Sequence, residues 1–289
     1  MTPNTKGALL MMGSMAAFTL NDTLVKAALQ DLPLFQLVAI RGVLAVILVY
    51  LLARSLGALH LNFPHHDKWL IALRCLAELS ATFFFLTALK NMPLANVTAV
   101  LQALPLTVTL GAALLFSEHI GWRRALAIAL GFAGMLLIVR PGPAGFSVYS
   151  VYALIAVASV TARDLITRRM STDVPSMVVT LATSASIALA AAVASVLEGW
   201  VPVSVATGSL VAAAAVFVLM GYLFSVMVMR QGDVGFVAPF RYSSLIWALG
   251  LGWAVFGEWP DNLTMLGAVL IVGAGLFTLL RGRSRQPAE

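Results

Sequence analysis

The sequence predicts an all-α membrane protein: ten transmembrane helices arranged as two inverted-topology repeats of five, with N- and C-termini cytoplasmic. Three observations lead there. Of the 289 residues, 61% are hydrophobic and only 10% are charged, and the mean hydropathy is +0.96; a soluble domain could not bury so much apolar surface. The apolar residues gather in stretches of roughly 18 or more, the length a helix needs to cross the hydrocarbon core. Finally, one hydrophobic hairpin occurs twice: Lys90, Phe116 and Glu118 are answered by Arg230, Phe256 and Glu258, each 140 positions later.

The spans are expected at 5–29, 33–53, 67–89, 94–117 and 122–139, then at 147–167, 174–197, 205–229, 235–256 and 261–280. Continuous apolar runs of this kind argue against barrel strands, which alternate over about ten residues. The organisation is a first five-helix repeat over 1–140, a periplasmic Gly/Pro linker at 141–146, a second repeat over 147–281 and a cytoplasmic tail at 282–289. The first span lacks an Ala-x-Ala-like cleavage site and nine more follow, so it reads as a helix of the protein rather than a signal peptide. Most loops are a few residues long, so consecutive helices run antiparallel. The longest, at 56–66, is too short to carry a soluble domain. Cys75 is the single cysteine, so no disulfide framework exists.

Orientation follows from Lys and Arg, which concentrate on the cytoplasmic side. With the N-terminus inside, that side holds Lys6, Arg54, Lys68, Arg123, Arg124, Arg168, Arg169, Arg230, Arg281, Arg283 and Arg285, against Lys26, Lys90 and Arg140 outside. The net charge of +6 is therefore a topology signal and not a nucleic-acid surface.

The duplication extends beyond the hairpin. Thr19, Asp22, Lys26 and Pro33 are matched by Thr161, Asp164, Arg168 and Pro175, all 142 positions on. Five spans per copy is an odd number, so the second copy enters the membrane from the opposite side. Two inverted copies can open to either side by exchanging conformations, which is what alternating access requires. A channel leaves the inversion unexplained. An intramembrane enzyme would need a nucleophile or a deep metal cluster, and no Gly-x-Ser-x-Gly, His-Glu-x-x-His, Cys-x-x-Cys or phosphate-cradling loop is present.

At this point the chain resembles the drug/metabolite transporter superfamily. The residues that carry the resemblance are Pro33 and Arg41 early in the second span and the Asn/Gln-bearing fourth span ending Phe116-x-Glu118. They also include the Gly-rich fifth span (Gly131, Gly134), the second ending Phe256-x-Glu258, and Gly267, Gly273 and Gly275 in the last span. Within that superfamily it is most similar to EamA-type amino-acid exporters of the bacterial aromatic class. The resemblance implies a multi-pass carrier in the bacterial inner membrane, a monomer or weak dimer, that exports amino acids and needs no cofactor. It also implies a central cavity surrounded by the first, third, fourth, sixth, eighth and ninth helices.

Ionisable residues inside spans are costly and so are functional candidates. Arg74 and Glu78 lie one turn apart and can pair, leaving Glu78 as a substrate or proton site or as half of a structural pair. Asp22 with Lys26 and Asp164 with Arg168 share helix faces and could latch the two mouths, though the bases themselves read rather as snorkelling to the interface and capping helix ends. Arg163 and Arg241 could grip a carboxylate bidentately, or close the inner mouth against Asp164 or Glu78. Arg41, whose repeat position holds Thr183, reads as bonding backbone carbonyls. In the duplicated hairpins Gln102 and Tyr242 coincide in register and are expected to face each other, with Trp247 as a stacking surface. Pro105, Gly111, Pro239 and Gly250 are the hinge candidates. Trp69, Trp122, Trp200 and Trp259 read as an interfacial belt. His60, His65, His66 and Asp67 read as a solvated loop, not a metal site.

Overall fold

A computed structural model describes residues 2–55, 64–117, 121–140, 147–171, 173–229 and 234–283. The helices are α1 (Pro3–Ala28), α2 (Leu34–Ser55), α3 (His65–Asn91), α4 (Leu94–Leu101), α5 (Leu104–Phe116) and α6 (Trp122–Val139) in the first half. The second half has α7 (Val148–Arg168), α8 (Ser176–Glu198), α9 (Val205–Met229), α10 (Val234–Val237), a 3-10 turn (Ala238–Tyr242), α11 (Ser243–Phe256) and α12 (Asn262–Arg283). Helices occupy all ten expected spans, with ends within a few residues, and among the described residues nine of them are long and apolar enough to cross a membrane. The fourth and ninth are each broken. Glu118, Arg230, His60, the 141–146 linker and 284–289 lie outside the described residues.

Both breaks sit beside a proline. Pro105 has no N–H for the Leu101 carbonyl, and the chain tightens there into i→i−3 bonds from Ala103 to Val100 and from Leu106 to Ala103. Pro239 lies in the 3-10 turn. Gly111 and Gly250, by contrast, lie inside unbroken turns of α5 and α11.

The halves are interleaved. The four most extensive helix pairings are α1 on α9, α3 on α7, α2 on α8 and α6 on α12, and each joins one half to the other. The repeat relation exchanges the first two pairings and maps each of the others onto itself. Glycine brings two of these pairs to backbone contact: a Cβ on Gly134 would lie 2.6 Å from the Gly267 carbonyl oxygen, and one on Gly42 would lie 2.9 Å from Ala188 Cα. Such small-residue contacts drive helix association where lipid and side chains are equally apolar.

One end of the bundle is closely packed with apolar side chains. A single buried cluster there includes Val25, Leu29, Leu37, Leu89, Leu94 and Val211. Toward the opposite end the buried residues form smaller, separate groups, such as Met11 with Val228 and Val237, and Ile71 with Val174 and Val179. His65, His66 and Asp67 are not a loop but the first turn of α3. The Asp67 carboxylate is buried and accepts from the Ser171 N–H at 3.1 Å, which ties the start of α3 to the chain just beyond α7.

Candidate functional site

Six ionisable residues meet between α1, α2, α3 and α7. Glu78 accepts two bonds from Arg163 Nη1, at 3.1 and 3.2 Å, across the α3–α7 contact. The same guanidinium holds Asp164 Oδ1 at 2.8 Å through Nη2. The expected Arg74–Glu78 pair does not form. Arg74 donates to the hydroxyls of Thr167 (2.9 Å) and Thr183 (2.5 Å), because α7 and α8 lie against its turn of α3 while Arg163 already occupies Glu78. The expected Asp164–Arg168 pair is likewise replaced by Asp164–Arg163.

On the first half, Asp22 accepts from Asn21 Nδ2 at 2.9 Å. Arg41 does not bond backbone carbonyls; its Nη1 donates to Asn21 Oδ1 at 3.1 Å. Arg41, Glu78, Thr82, Ser184 and Tyr222 line one cavity of about 110 Å³, whose remaining walls are aliphatic. Tyr222 meets Phe18 edge-on, with ring centroids 5.3 Å apart. The cavity thus draws on the second and seventh spans (α2, α8) as well as the third and eighth (α3, α9).

The fourth and ninth spans meet at the break, but through a different pair than expected. Gln102 Nε2 donates to Ser244 Oγ at 2.7 Å. Tyr242 turns away, and its hydroxyl packs on Gly275 of α12, where any Cβ would collide with it. Tyr242 is the last residue of the 3-10 turn, whereas Ser244 lies in the first turn of α11. Arg241 is exposed and forms no ion pair among the described residues; Asp164 and Glu78, its expected partners, are held by Arg163. Trp247 is also exposed. Gly111 is a packing position, since a Cβ there would meet the Leu165 side chain.

The expected Asp22–Lys26 pair is absent, and Lys26 does not snorkel. It is 6% exposed. Its ammonium bonds Glu258 Oε1 and Oε2 at 2.6 and 2.8 Å and the Met92 carbonyl at 2.7 Å, and lies 4.8 Å from the Phe256 ring. Glu258 also accepts from the Leu94 N–H at 2.9 Å. The register mates at the other end make the same aromatic contact: Arg168 lies 5.2 Å from the Phe116 ring. The repeat itself carried the signal for Lys26 and Glu258. Arg41 was marked by its charge inside a span, but nothing in the local sequence placed it in a cavity with Tyr222.

Comparison with known proteins places the chain in context. A family model described as the EamA-like transporter family matches residues 5–140 and again 148–280. The pseudopaline exporter of Pseudomonas aeruginosa strain UCBPP-PA14 is 28% identical over 276 residues, covering 93% of this chain and 94% of the exporter. An S-adenosylmethionine uptake transporter of Rickettsia prowazekii is 27% identical over 206 residues, 68% of each chain. A riboflavin transporter of Vibrio cholerae is 25% identical over 275 residues, with 92% and 90% covered. A solved crystal structure at 22% identity superposes with a TM-score of 0.65 over 98% of this chain and 99% of its own, a likeness of fold.

Proposed function

Because the chain belongs to the EamA-like transporter family, we propose that this multi-pass membrane transporter is a secondary carrier exporting amino acids, aromatic or otherwise apolar, by alternating access. Its termini face the cytoplasm on this reading. One observation carries it: register-matched residues sit at opposite ends of the bundle, buried at one end and exposed at the other. At one end Lys26, Glu258 and Phe256 join the first span to the ninth, and Lys26 is buried. At the other, Arg168 on Phe116 is exposed. A carrier closed at the Lys26 end would, on exchange of conformations, close at the Arg168 end.

The cargo class rests on charge balance. Arg41, Arg74 and Arg163 stand against Asp22, Glu78 and Asp164, three of each sign in formal charge. A zwitterion can enter such a region without leaving a charge unmatched, whereas a net charge would be costly there. Efflux of labelled phenylalanine from proteoliposomes, with and without a proton gradient, tests the reading. Saturable efflux is expected; absence of flux for every amino acid tried would overturn it. A carrier of other metabolites on the same scaffold is the second reading, favoured by relatives named for pseudopaline, S-adenosylmethionine and riboflavin. Competition of those compounds against phenylalanine separates the two.

A further inference from the structure

We infer that the substrate site has two compartments, with Arg41 binding a carboxylate, Glu78 binding an ammonium, and an adjoining pocket at Phe35 and Phe83 taking an apolar side chain. The inference rests on the amino-acid reading above and assigns its residues.

Among the three arginines of the central cluster, Arg41 is the least committed. Arg163 is bound to two carboxylates and Arg74 to two hydroxyls, whereas Arg41 makes one hydrogen bond, to Asn21. A guanidinium has five N–H donors in a planar fork, so Arg41 retains an edge for a carboxylate in the cavity that it lines. Asn21 takes one prong of the fork, Nη1, and itself donates to Asp22, so Nε and Nη2 are left for a ligand. Glu78 lines the same cavity. Arg163 reaches it through one nitrogen only, Nη1, and a carboxylate has about four lone-pair positions, so an ammonium can be added.

The cavity at Arg41, about 110 Å³, is the size of a head group rather than of a whole aromatic amino acid. A second cavity of about 310 Å³ adjoins it and shares Val38, Thr82 and Ile187 as a common wall. Thr82 is its one polar lining residue, and Phe35 and Phe83 stack within it at 5.9 Å and 11°. A charged compartment joined to an apolar one has the form of an α-amino acid with a hydrophobic side chain. This division also gives the second and seventh spans, which carry Arg41, Phe35 and Ile187, a direct part in recognition.

The test uses the full-length protein in nanodiscs and four ligands: phenylalanine, alanine, phenethylamine (no carboxylate) and phenylpropionate (no ammonium). Arg41→Gln is expected to weaken phenylalanine and phenylpropionate about tenfold or more relative to phenethylamine, the loss of a charge-assisted bond. Glu78→Gln gives the reverse pattern, and Phe83→Ala weakens phenylalanine more than alanine. Arg41→Lys keeps the charge while losing the fork, so it retains part of the preference and guards against a variant that fails to fold. If Arg41→Gln weakens all ligands alike, or none, the assignment is overturned. If wild-type protein binds no amino acid, the proposed function fails instead.

Discussion

Lys26 and Glu258, 232 residues apart in the chain, form a two-pronged ion pair that ties the first span of one half to the end of the ninth span of the other. Removing one partner of a buried pair strands the other, at a cost of about 3 kcal/mol. Lys26→Met and Glu258→Gln are each expected to lower thermal stability by that order. Each should also expose a cysteine placed at Met92, which is buried now. Labelling rates in a Cys75→Ala background measure the exposure. The double variant should cost less than the sum of the two, as in any coupled pair.

Glu78 depends on Arg163 and not on Arg74. Arg163→Gln should therefore reproduce the transport defect of Glu78→Gln, while Arg74→Gln should leave the Glu78 carboxylate paired and give a different substrate profile. Initial rates over a range of substrate concentrations distinguish the two. Equal profiles for Arg74→Gln and Glu78→Gln would contradict the observed pairing.

Gly134 and Gly250 are both span glycines with opposite expectations. Gly134→Ala forces a methyl group against the Gly267 carbonyl and should destabilise by about 1–3 kcal/mol. A Cβ on Gly250 meets nothing within 4 Å, so Gly250→Ala should leave stability unchanged or raise it slightly. Thermal unfolding in one detergent compares them directly.

Outside the membrane, Asp261 is bonded by Arg140 and by the Thr264 N–H, and its carboxyl is held down to about 2, chiefly by the Arg140 hydrogen bond. The same bond raises the Arg140 guanidinium, which stays charged throughout. Because the folded value lies below the ordinary 3.8, the contribution is complete above that pH and is lost as pH falls through about 2. The Asp261 side chain is 55% exposed, so the pair is worth less than about 1 kcal/mol and weakens with salt. The stability difference between wild type and Asp261→Asn should be constant from pH 7 to about 4.5 and shrink below it.

Taken alone, the sequence determined the ten spans, their antiparallel order, the duplication and the two interruptions beside Pro105 and Pro239. These follow from properties local to the chain: the length of an apolar run, the missing N–H of proline, and the recurrence of residues at a fixed spacing. Only the tertiary structure decided which side chains meet. Arg74 with Thr183, Arg163 with Glu78, Lys26 with Glu258 and Gln102 with Ser244 are all contacts between halves. In a soluble helix an apolar stripe marks the buried face, but in a bilayer the lipid-facing and core-facing sides are both apolar, so the sequence does not say how each helix is turned about its axis. Neighbours on one helix, Arg74 with Glu78 or Asp22 with Lys26, therefore looked like pairs. The interleaving of the halves brought other partners closer, and at the break Ser244 meets Gln102 while Tyr242 packs on Gly275.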